Sequence, residues 1–290
     1  MSAGRFAPSP SGDLHVGNLR TALLAWLFAR STGRRALLRV EDLDRVREGS
    51  EQRQLEDLAA LGLEWDGPIV RQSERRALYD AAIDRLTARG LTFPCFCTRR
   101  EVQEAPSAPH LPPGAYPGTC RDLSDAEIAR RSADRPAALR LRAETTAWTV
   151  QDVLHGSVEG AVDDVVLRRN DGVPAYNLAV VVDDADQGVD QVVRGDDLLT
   201  SAPRQAYLAS LLEVPAPVYA HVPLAVNTDG ARLAKRDGAV TYRELAERGV
   251  DVLAMIGASL DLPGDDVHAM LERFDPAALP RLPWTVVPPA

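Results

Sequence analysis

The sequence almost lacks lysine. Of its 33 basic residues only Lys235 is a lysine, and the others are arginines. An arginine side chain is a planar fork, whereas a lysine carries a compact charge on a flexible stem and often binds phosphate as a point charge. Two interpretations of Lys235 follow: it binds a phosphate group, or it has survived by chance in an arginine-rich composition. The composition by itself does not decide between them.

Long apolar runs are also absent. No run approaches the roughly 18 residues of a membrane-spanning helix, and the N-terminus lacks the apolar region of a signal peptide. We therefore expect a soluble, cytoplasmic protein without a membrane partner. The 290 residues, 45% of them hydrophobic, predict a buried core in one large domain or two smaller ones. The net charge of −9 disfavours non-specific binding along nucleic acid but is compatible with a local basic surface.

Cysteine is scarce as well. The three cysteines all lie between Cys95 and Cys120, and this odd, clustered set does not suit a disulfide framework. Cys95, Cys97 and Cys120 offer thiolates, which are good ligands for a closed tetrahedral zinc site. Tyr116 and His110 lie in the same segment; histidine is the more conventional fourth ligand, and tyrosinate is unusual. Cysteines without a metal are the alternative. A zinc ion here would be structural, because the segment is rich in proline and has little core of its own.

The first 40 residues have the pattern of a strand–loop–helix–strand unit. Residues 4–7 predict a short strand, and a loop rich in proline, serine and glycine follows over 8–12. Apolar side chains then recur at helical spacing from Leu19 to Leu27, which predicts a helix with one apolar face. Residues 36–40 predict a buried strand, so we expect the α/β fold class with a parallel sheet. Further helices are predicted over 49–62 and 73–89, a second strand–helix unit over 189–212, an apolar segment over 218–226 with a turn at 227–230, and a helical tail over 242–274.

The loop Pro8–Asn18 leads into the N-terminal end of the first predicted helix. A helix N-terminus presents unpaired N–H groups and the positive end of a dipole, and both favour a phosphate group. Gly17 would allow a ligand to approach the backbone closely, and His15 can donate a ring N–H to a phosphate oxygen. Ordinary helix capping by the same residues is the alternative interpretation.

Two short motifs resemble a known family. The letters HVGN at His15–Asn18, preceded by PSPSG, resemble the HIGH signature of the class I aminoacyl-tRNA synthetases, and RLAKR at Arg232–Arg236 resembles their second signature, KMSKS. The ordered pair implies a Rossmann-like fold in two halves that binds ATP with Mg²⁺. The serine and the first lysine of KMSKS are replaced by Ala234 and Arg232, so contacts from these two positions are not implied. The ATP-binding residues implied by the resemblance are His15, Gly17, Asn18 and Lys235, with Lys235 on the phosphates.

The segments RFAPSPSG, LLRVEDLD, PAYNLAVVVDDA, VVRGDDLL and KRDG resemble the glutamate-specific branch, whereas glutamine-specific relatives tend to carry PEP in place of PSP. The chemistry agrees, because Arg5 and Arg194 can grip carboxylates with bidentate geometry. Glu41 follows a predicted strand at the carboxyl edge, where open α/β sheets bind ligands, and can hold the ammonium group; Tyr176 offers a hydroxyl. Each residue taken alone has an ordinary structural interpretation: a surface ion pair for the charged residues, and a buried core tyrosine for Tyr176. The glutamate-binding residues implied by the resemblance are Arg5, Phe6, Ala7, Pro8, Ser9, Glu41, Tyr176 and Arg194.

The resemblance extends from Arg5 to about Gly238. Prolines such as Pro94 and Pro117 are expected to interrupt any regular element between about 91 and 150, so this part resembles an insertion. We also expect the protein to lack the large helical anticodon-binding domain of full-length bacterial glutamyl-tRNA synthetases. We predict the first half of the Rossmann-like domain over 1–90, an insertion with the zinc site and tRNA contacts over 91–188, the second half over 189–241, and a helical tail over 242–290.

This shortness, together with the Cys-x-Cys and Tyr-x-x-x-Cys patterns, resembles the small glutamyl-queuosine tRNA(Asp) synthetases. We expect a monomer. The resemblance implies an enzyme with one structural zinc ion, held by Cys95, Cys97, Tyr116 and Cys120. It also implies ATP-dependent, tRNA-independent activation of L-glutamate to glutamyl-adenylate, followed by transfer of glutamate to the queuosine base in the anticodon of tRNA(Asp). Two alternatives stay open: a truncated glutamyl-tRNA synthetase that charges a tRNA 3′ end, and a non-catalytic regulator that binds nucleotide or tRNA.

Overall fold

The computed structural model describes residues 2–104, 116–231, 233 and 241–287. Within these ranges no helix has both the length and the apolar character that a membrane crossing requires. The strands are β1 (Ala3–Phe6), β2 (Arg35–Val40), β3 (Val70–Arg71), β4 (Thr92–Cys95), β5 (Ala138–Leu141), β6 (Ala147–Asp152), β7 (Gly156–Ala161), β8 (Val166–Arg168), β9 (Val189–Gly195), β10 (Val218–Val222), β11 (Ala225–Val226) and β12 (Trp284–Thr285). The helices are α1 (Val16–Ser31), α2 (Ser50–Ala60), α3 (Arg76–Ala88), α4 (Arg99–Glu104), α5 (Asp125–Asp134), α6 (Tyr176–Asp186), α7 (Ala202–Leu211), α8 (Tyr242–Glu247), α9 (Val252–Ala258) and α10 (Val267–Arg273).

The central sheet is mostly parallel. In the described part of the chain, seven of the strands form one sheet in the order β3-β2-β1-β9-β10-β6-β7, and β7 is antiparallel to β6. The neighbouring strands β1 and β9 lead, through α1 and α7, to strands on opposite sides of the pair. Ligands of open α/β sheets bind beside the carboxyl ends of strands at such a change of direction. The predicted α/β class is confirmed, and the end of β1 at Phe6 and the end of β9 at Gly195 become the place to search for a site.

Helix α1 is the centre of the core. The predicted apolar face, including Leu19, Leu23 and Trp26, is buried, and the opposite face is buried too. One side of the helix packs on β1, β2 and β9, and other parts pack on α9 and α10. The only charged side chain within this burial, Arg20, is satisfied: its Nη1 donates to the Pro223 carbonyl at 2.6 Å and its Nε to Ser259 Oγ at 3.1 Å. The loop before α1 is therefore attached to a rigid element.

The segment with the cysteines is more regular than predicted. The expectation that prolines interrupt every element between 91 and 150 is wrong, because β4, α4, α5, β5 and β6 lie there. Strand β4 contains Pro94 and pairs antiparallel with β5 at the edge of a small sheet with the order β4-β5-β8. An edge strand tolerates proline because one side of it forms no ladder hydrogen bonds. The hairpin of β6 and β7 returns to the central sheet. The four predicted segment boundaries stay predictions.

The C-terminal helices close the core on the side of α1 that faces away from the sheet. Strand β12 pairs parallel with β11, which brings Trp284 beside Ala225. The predicted turn is confirmed: the Gly230 amide donates to the Asn227 carbonyl at 3.0 Å, and Gly230 has a φ of 76°. Thr241 forms an isolated bridge with His15. The chain on both sides of the second signature therefore contacts the loop before α1 or its helix.

Candidate functional site

A cavity of about 880 Å³ opens at the carboxyl ends of β1 and β9. Most of the residues predicted for glutamate and ATP line it: Phe6, Ala7, Pro8, Ser9, His15, Gly17, Asn18, Glu41, Tyr176 and Arg194. Arg5 is not in the lining and lies beneath it, 5% exposed. Lys235, with the rest of its signature apart from Leu233, lies outside the described residues. The structure thus brings the predicted residues to one place, while their individual roles stay predictions.

His15 and Asn18 cap α1 reciprocally. The Asn18 amide donates to His15 Nδ1 at 3.2 Å, and the His15 amide donates to Asn18 Oδ1 at 3.3 Å. The capping interpretation therefore holds for this pair. Because Nδ1 accepts, the proton of a neutral His15 ring lies on Nε2, which is the nitrogen that can donate to a phosphate oxygen. Gly17 is approached by protein: a methyl group there would lie 2.8 Å from the Ala225 Cβ and 3.1 Å from the His15 ring.

A buried network of charges lies below the cavity. Arg5 Nε faces Asp184 Oδ1 at 3.4 Å, and its Nη1 donates to the Val193 carbonyl at 3.4 Å. The fully buried Arg39 donates to Asp184 Oδ1 at 2.8 Å and to Glu41 Oε1 at 3.4 Å. Sequence reasoning missed Arg39 and Asp184. The available signal was a charge inside each of two apolar runs, RALLRV and LAVVVDD, since such charges are seldom buried without partners.

Glu41 lies at the carboxyl end of β2, as predicted. Its amide donates to the Pro8 carbonyl at 2.9 Å, which ties the strand end to the loop that follows β1. Burial raises the pKa of Glu41 above its ordinary value, and the nearby Arg39 and Arg5 guanidinium groups oppose that rise. The two guanidinium groups offset only part of the cost of burying the Glu41 charge, so this carboxylate is suited to bind a cationic ligand such as an ammonium group.

Arg194 is held by neutral groups. Its Nε donates to His221 Nε2 at 3.0 Å, its Nη1 to Gln205 Oε1 at 2.8 Å, and its Nη2 to the Leu198 carbonyl at 3.3 Å. The guanidinium also lies 5.4 Å from the centroid of the Tyr219 ring. Sequence reasoning missed His221 and Gln205. A histidine in the apolar strand VYAHV was the one available signal.

A second cavity, of about 730 Å³, adjoins the first. The two share Ser9, Glu41 and Tyr176, and the second extends along β4 to Cys95 and Cys97. Its wall carries several arginines, namely Arg99, Arg135, Arg140 and Arg169. The four arginines share this wall with the carboxylates of Glu41 and Asp44, and Arg169 Nη1 lies 3.5 Å from Asp44 Oδ2.

The three cysteines converge. The sulfur atoms of Cys95, Cys97 and Cys120 all lie within 4.8 Å of one another, and the Cys97–Cys120 distance is 3.6 Å. Zinc–sulfur bonds of about 2.3 Å in a tetrahedron place sulfurs about 3.8 Å apart, so the cluster could hold a metal ion with small adjustments. Burial raises the pKa of Cys97 to about 12, and the Cys95 sulfur adds to the shift. A bound cation would supply the charge that favours thiolates there.

Tyr116 lies beside the sulfurs. Its hydroxyl is 3.4 Å from Cys95 Sγ and accepts a hydrogen bond from the Cys120 amide at 2.7 Å. The Arg140 guanidinium lies 3.8 Å from the centroid of the Tyr116 ring, and Arg131 Nη1 is 3.9 Å from Cys120 Sγ. Burial raises the pKa of Tyr116, and the hydrogen bond from the Cys120 amide opposes that rise. The tyrosine is therefore placed to complete a four-ligand set, whereas His110 lies outside the described residues.

Known proteins resemble the chain in sequence and in structure. The family of class I tRNA synthetases (E and Q), catalytic domain, matches residues 3–269. Over 286 residues the chain is 68% identical to the glutamyl-Q tRNA(Asp) synthetase of Nocardia farcinica, covering 97% of this chain and 92% of that protein. Over 270 residues it is 53% identical to the glutamyl-Q tRNA(Asp) synthetase of Cutibacterium acnes, covering 90% and 77%. A crystal structure of a glutamate tRNA ligase from Elizabethkingia meningosepticum in complex with its amino acid matches with a TM-score of 0.79 and 28% identity, covering 98% of this chain and 66% of that one.

Proposed function

Because the chain belongs to the glutamyl-Q tRNA(Asp) synthetase family of class I tRNA synthetases, we propose that it activates L-glutamate with MgATP and transfers the glutamate to queuosine in the anticodon of tRNA(Asp). The family resemblance read from the signatures is confirmed, and with it the assignment as a ligase. The substrates and the order of steps are the content of the proposal. Activation precedes tRNA binding and does not require it.

The observation that carries the proposal is the junction of two cavities at Ser9, Glu41 and Tyr176. A two-step transfer needs one activated carbonyl that is reachable from two directions. In the first step a carboxylate oxygen of glutamate attacks the α-phosphorus of ATP, and pyrophosphate leaves. In the second, a hydroxyl oxygen of the queuosine cyclopentene ring attacks the activated carbonyl, its proton is lost to solvent, and AMP leaves. Glutamate at the junction would face ATP in one cavity and the tRNA in the other.

The protein contributes position and charge in this scheme. Arg194 grips a carboxylate, Arg5 adds positive potential from below, and Glu41 binds the ammonium group. His15 Nε2–H donates to a phosphate oxygen at the N-terminus of α1, where the helix dipole also favours the anion. Lys235 adds a mobile charge to the leaving pyrophosphate. The reaction needs no covalent intermediate with the protein. Positioning and preorganised charges can therefore supply most of the rate enhancement of a phosphoryl-type transfer.

The tRNA would enter through the second cavity. Four arginines line it, and phosphate contacts dominate the affinity of proteins for nucleic acids. The acidic net charge of −9 is compatible with this entry, because the charged side chains that line the second cavity are four arginines and two carboxylates, Glu41 and Asp44. A structural zinc ion on Cys95, Cys97, Cys120 and Tyr116 would tie β4 to the chain that precedes α5, at the edge of this cavity.

Labelled glutamate tests the proposal. With MgATP, label should enter tRNA(Asp) that carries queuosine and should not enter tRNA(Asp) without queuosine or tRNA(Glu). Nuclease digestion should place the label in the anticodon fragment. ATP–pyrophosphate exchange should depend on glutamate and proceed without tRNA. Label at the 3′ end of tRNA(Glu) would overturn the proposal in favour of a charging enzyme, which the structural match to a glutamate tRNA ligase favours as the second candidate.

A further inference from the structure

Arg194, His221 and Asp152 form one hydrogen-bonded row across three adjacent strands. Arg194 on β9 is directly opposite His221 on the parallel strand β10, and β6 is the next strand of the sheet. Arg194 Nε donates to His221 Nε2 at 3.0 Å, and His221 Nδ1 lies 2.6 Å from Asp152 Oδ2. The side chains of His221 and Asp152 are both fully buried.

The protonation state of the row follows from its geometry. An arginine nitrogen can only donate, so His221 Nε2 accepts and the ring is neutral with its proton on Nδ1. The Asp152 carboxylate accepts a hydrogen bond from Nδ1–H. It also accepts from the His221, Leu154 and His155 amides at 2.8 to 3.1 Å, which fix its orientation. Burial opposes ionisation, but the hydrogen bonds from His221 and Leu154 hold the pKa of Asp152 below its usual value. Burial lowers the pKa of His221, which agrees with the neutral ring.

A neutral direct partner has a specific advantage for a carboxylate-binding arginine. A carboxylate beside Arg194 would cancel the guanidinium charge and compete with the ligand. An imidazole fixes the orientation and leaves the charge intact, while the anion stays one residue further away. Among the described residues, the contacts of Arg194 use Nε–H and one N–H on each terminal nitrogen. One further N–H on each terminal nitrogen is thus left with which Arg194 can bind a carboxylate oxygen.

We propose that His221, oriented by Asp152, is a positioning residue that holds Arg194 in the orientation for gripping a substrate carboxylate. The inference rests on the proposed function, because Arg194 is there the glutamate-binding arginine. Sequence reasoning and the family signatures gave no role to His221 or Asp152. The row makes substrate affinity depend on two side chains that do not line the glutamate cavity.

The test measures glutamate binding by calorimetry and the glutamate and ATP KM values in ATP–pyrophosphate exchange. His221→Leu removes the acceptor, so we expect glutamate affinity to fall about 10- to 100-fold with the ATP KM within about twofold. His221→Gln keeps an acceptor for Arg194 and a donor for Asp152, and should return glutamate affinity to within a few fold of the original protein. A merely structural role would move both KM values and would not be rescued by glutamine. His155→Gln is the matched control and should leave glutamate affinity unchanged, since its ring forms a hydrogen bond with the His221 backbone carbonyl, at 3.1 Å, and none with the Arg194 or Asp152 side chain among the described residues.

A nitrogen-15 spectrum of the His221 ring provides a readout without catalysis. The ring should show a protonated Nδ1 and an unprotonated Nε2, and Asp152→Asn should move the Nδ1 resonance, because a neutral amide replaces the charged acceptor of its proton. The inference is overturned by an Nε2-protonated ring, by unchanged glutamate affinity in His221→Leu, or by a protein that does not bind glutamate. Glutamate binding without transfer to tRNA(Asp) would sink only the proposed function.

Discussion

Ala225 approaches the first turn of α1 so closely that a methyl group on Gly17 would lie 2.8 Å from the Ala225 Cβ. Gly17 belongs to the first signature, and Ala225 lies in β11, which leads toward the second. After the second signature the chain contacts the first again, because Thr241 forms a bridge with His15. The glycine is therefore needed for contact between two parts of the protein, in addition to any approach by a ligand.

Gly17→Ala should destabilise the protein by about 1–3 kcal/mol, because the added methyl group overpacks a rigid contact. It should also reduce ATP–pyrophosphate exchange, since the His15 ring is only 3.1 Å from the new carbon. Urea unfolding gives the free energy of unfolding. The double variant Gly17→Ala with Ala225→Gly makes room for the methyl group and should recover most of the stability. A single variant as stable as the original protein would show that α1 and β11 can move apart at little cost.

Asp183→Asn should be strongly destabilising. The carboxylate is fully buried and accepts from Tyr79 Oη at 2.9 Å, Gln72 Nε2 at 2.8 Å and Arg75 Nε at 2.7 Å. The change removes one buried carboxylate from Arg75 and Arg39 and puts an amide N–H2 among donors, and breaking a buried pair in this way costs about 3–5 kcal/mol. Asp186→Asn is the matched control, because Asp186 binds the same Arg75 at 2.6 Å but is half exposed. That change should cost about 0–1 kcal/mol. Equal losses in urea unfolding would contradict the expected difference between the buried and the half-exposed carboxylate partner of Arg75.

Local patterns allowed the sequence to predict what lies within one segment. The β1–α1–β2 unit, the capped loop and the position of Glu41 after β2 all depend on neighbours along the chain. The rows Arg39–Asp184 and Arg194–His221–Asp152 join segments far apart in sequence, and no periodicity indicates which charge meets which. The cysteine cluster could be predicted because its residues are close together in the sequence. The strand that contains Pro94 could not, because its position at the edge of a sheet depends on which strands pair, and local sequence does not show this.

Glu41→Gln should separate stability from activity. Burial raises the pKa of Glu41 above the ordinary 4.5, so the folded chain binds this proton more tightly than the unfolded chain does. The resulting stability is present below the ordinary pKa and is lost as the pH rises through the raised one. Near neutral pH the glutamine variant should therefore be at least as stable as the original protein, since its amide oxygen can still accept from Arg39.

The difference in free energy of unfolding between Glu41→Gln and the original protein should shrink as the pH falls toward about 5. Urea unfolding at several pH values measures it. Glutamate affinity at neutral pH should meanwhile fall by about tenfold or more, because the ammonium group loses a charged partner. A variant that is less stable at neutral pH and gains on acidification would contradict the direction of the pKa shift.

The metal content of the purified protein tests the cysteine cluster. We expect one zinc ion per chain, and Cys97→Ser should lose it together with thermal stability, because the sulfurs lie within 4.8 Å of one another. Tyr116→Phe and His110→Ala decide the fourth ligand. If Tyr116 binds the ion, only the phenylalanine variant should lose affinity, by at least about tenfold, in a competition with a chromogenic chelator. Loss in the alanine variant alone would assign His110, and zinc-free protein would leave the cysteines as a packed thiol cluster.

Lys235→Ala should abolish glutamate-dependent ATP–pyrophosphate exchange while the melting temperature stays the same. Lys235 lies outside the described residues, but the chain on either side of it is attached to the first signature through Ala225 and Thr241. A point charge on a flexible stem can follow the pyrophosphate as it leaves, whereas the arginine fork binds in a fixed geometry. Lys235→Arg should therefore retain ATP binding and lose most of the exchange rate, seen as a fall in kcat with a nearly unchanged ATP KM. Full activity of the arginine variant would mean that any positive charge suffices, and near-normal exchange by the alanine variant would remove Lys235 from the site.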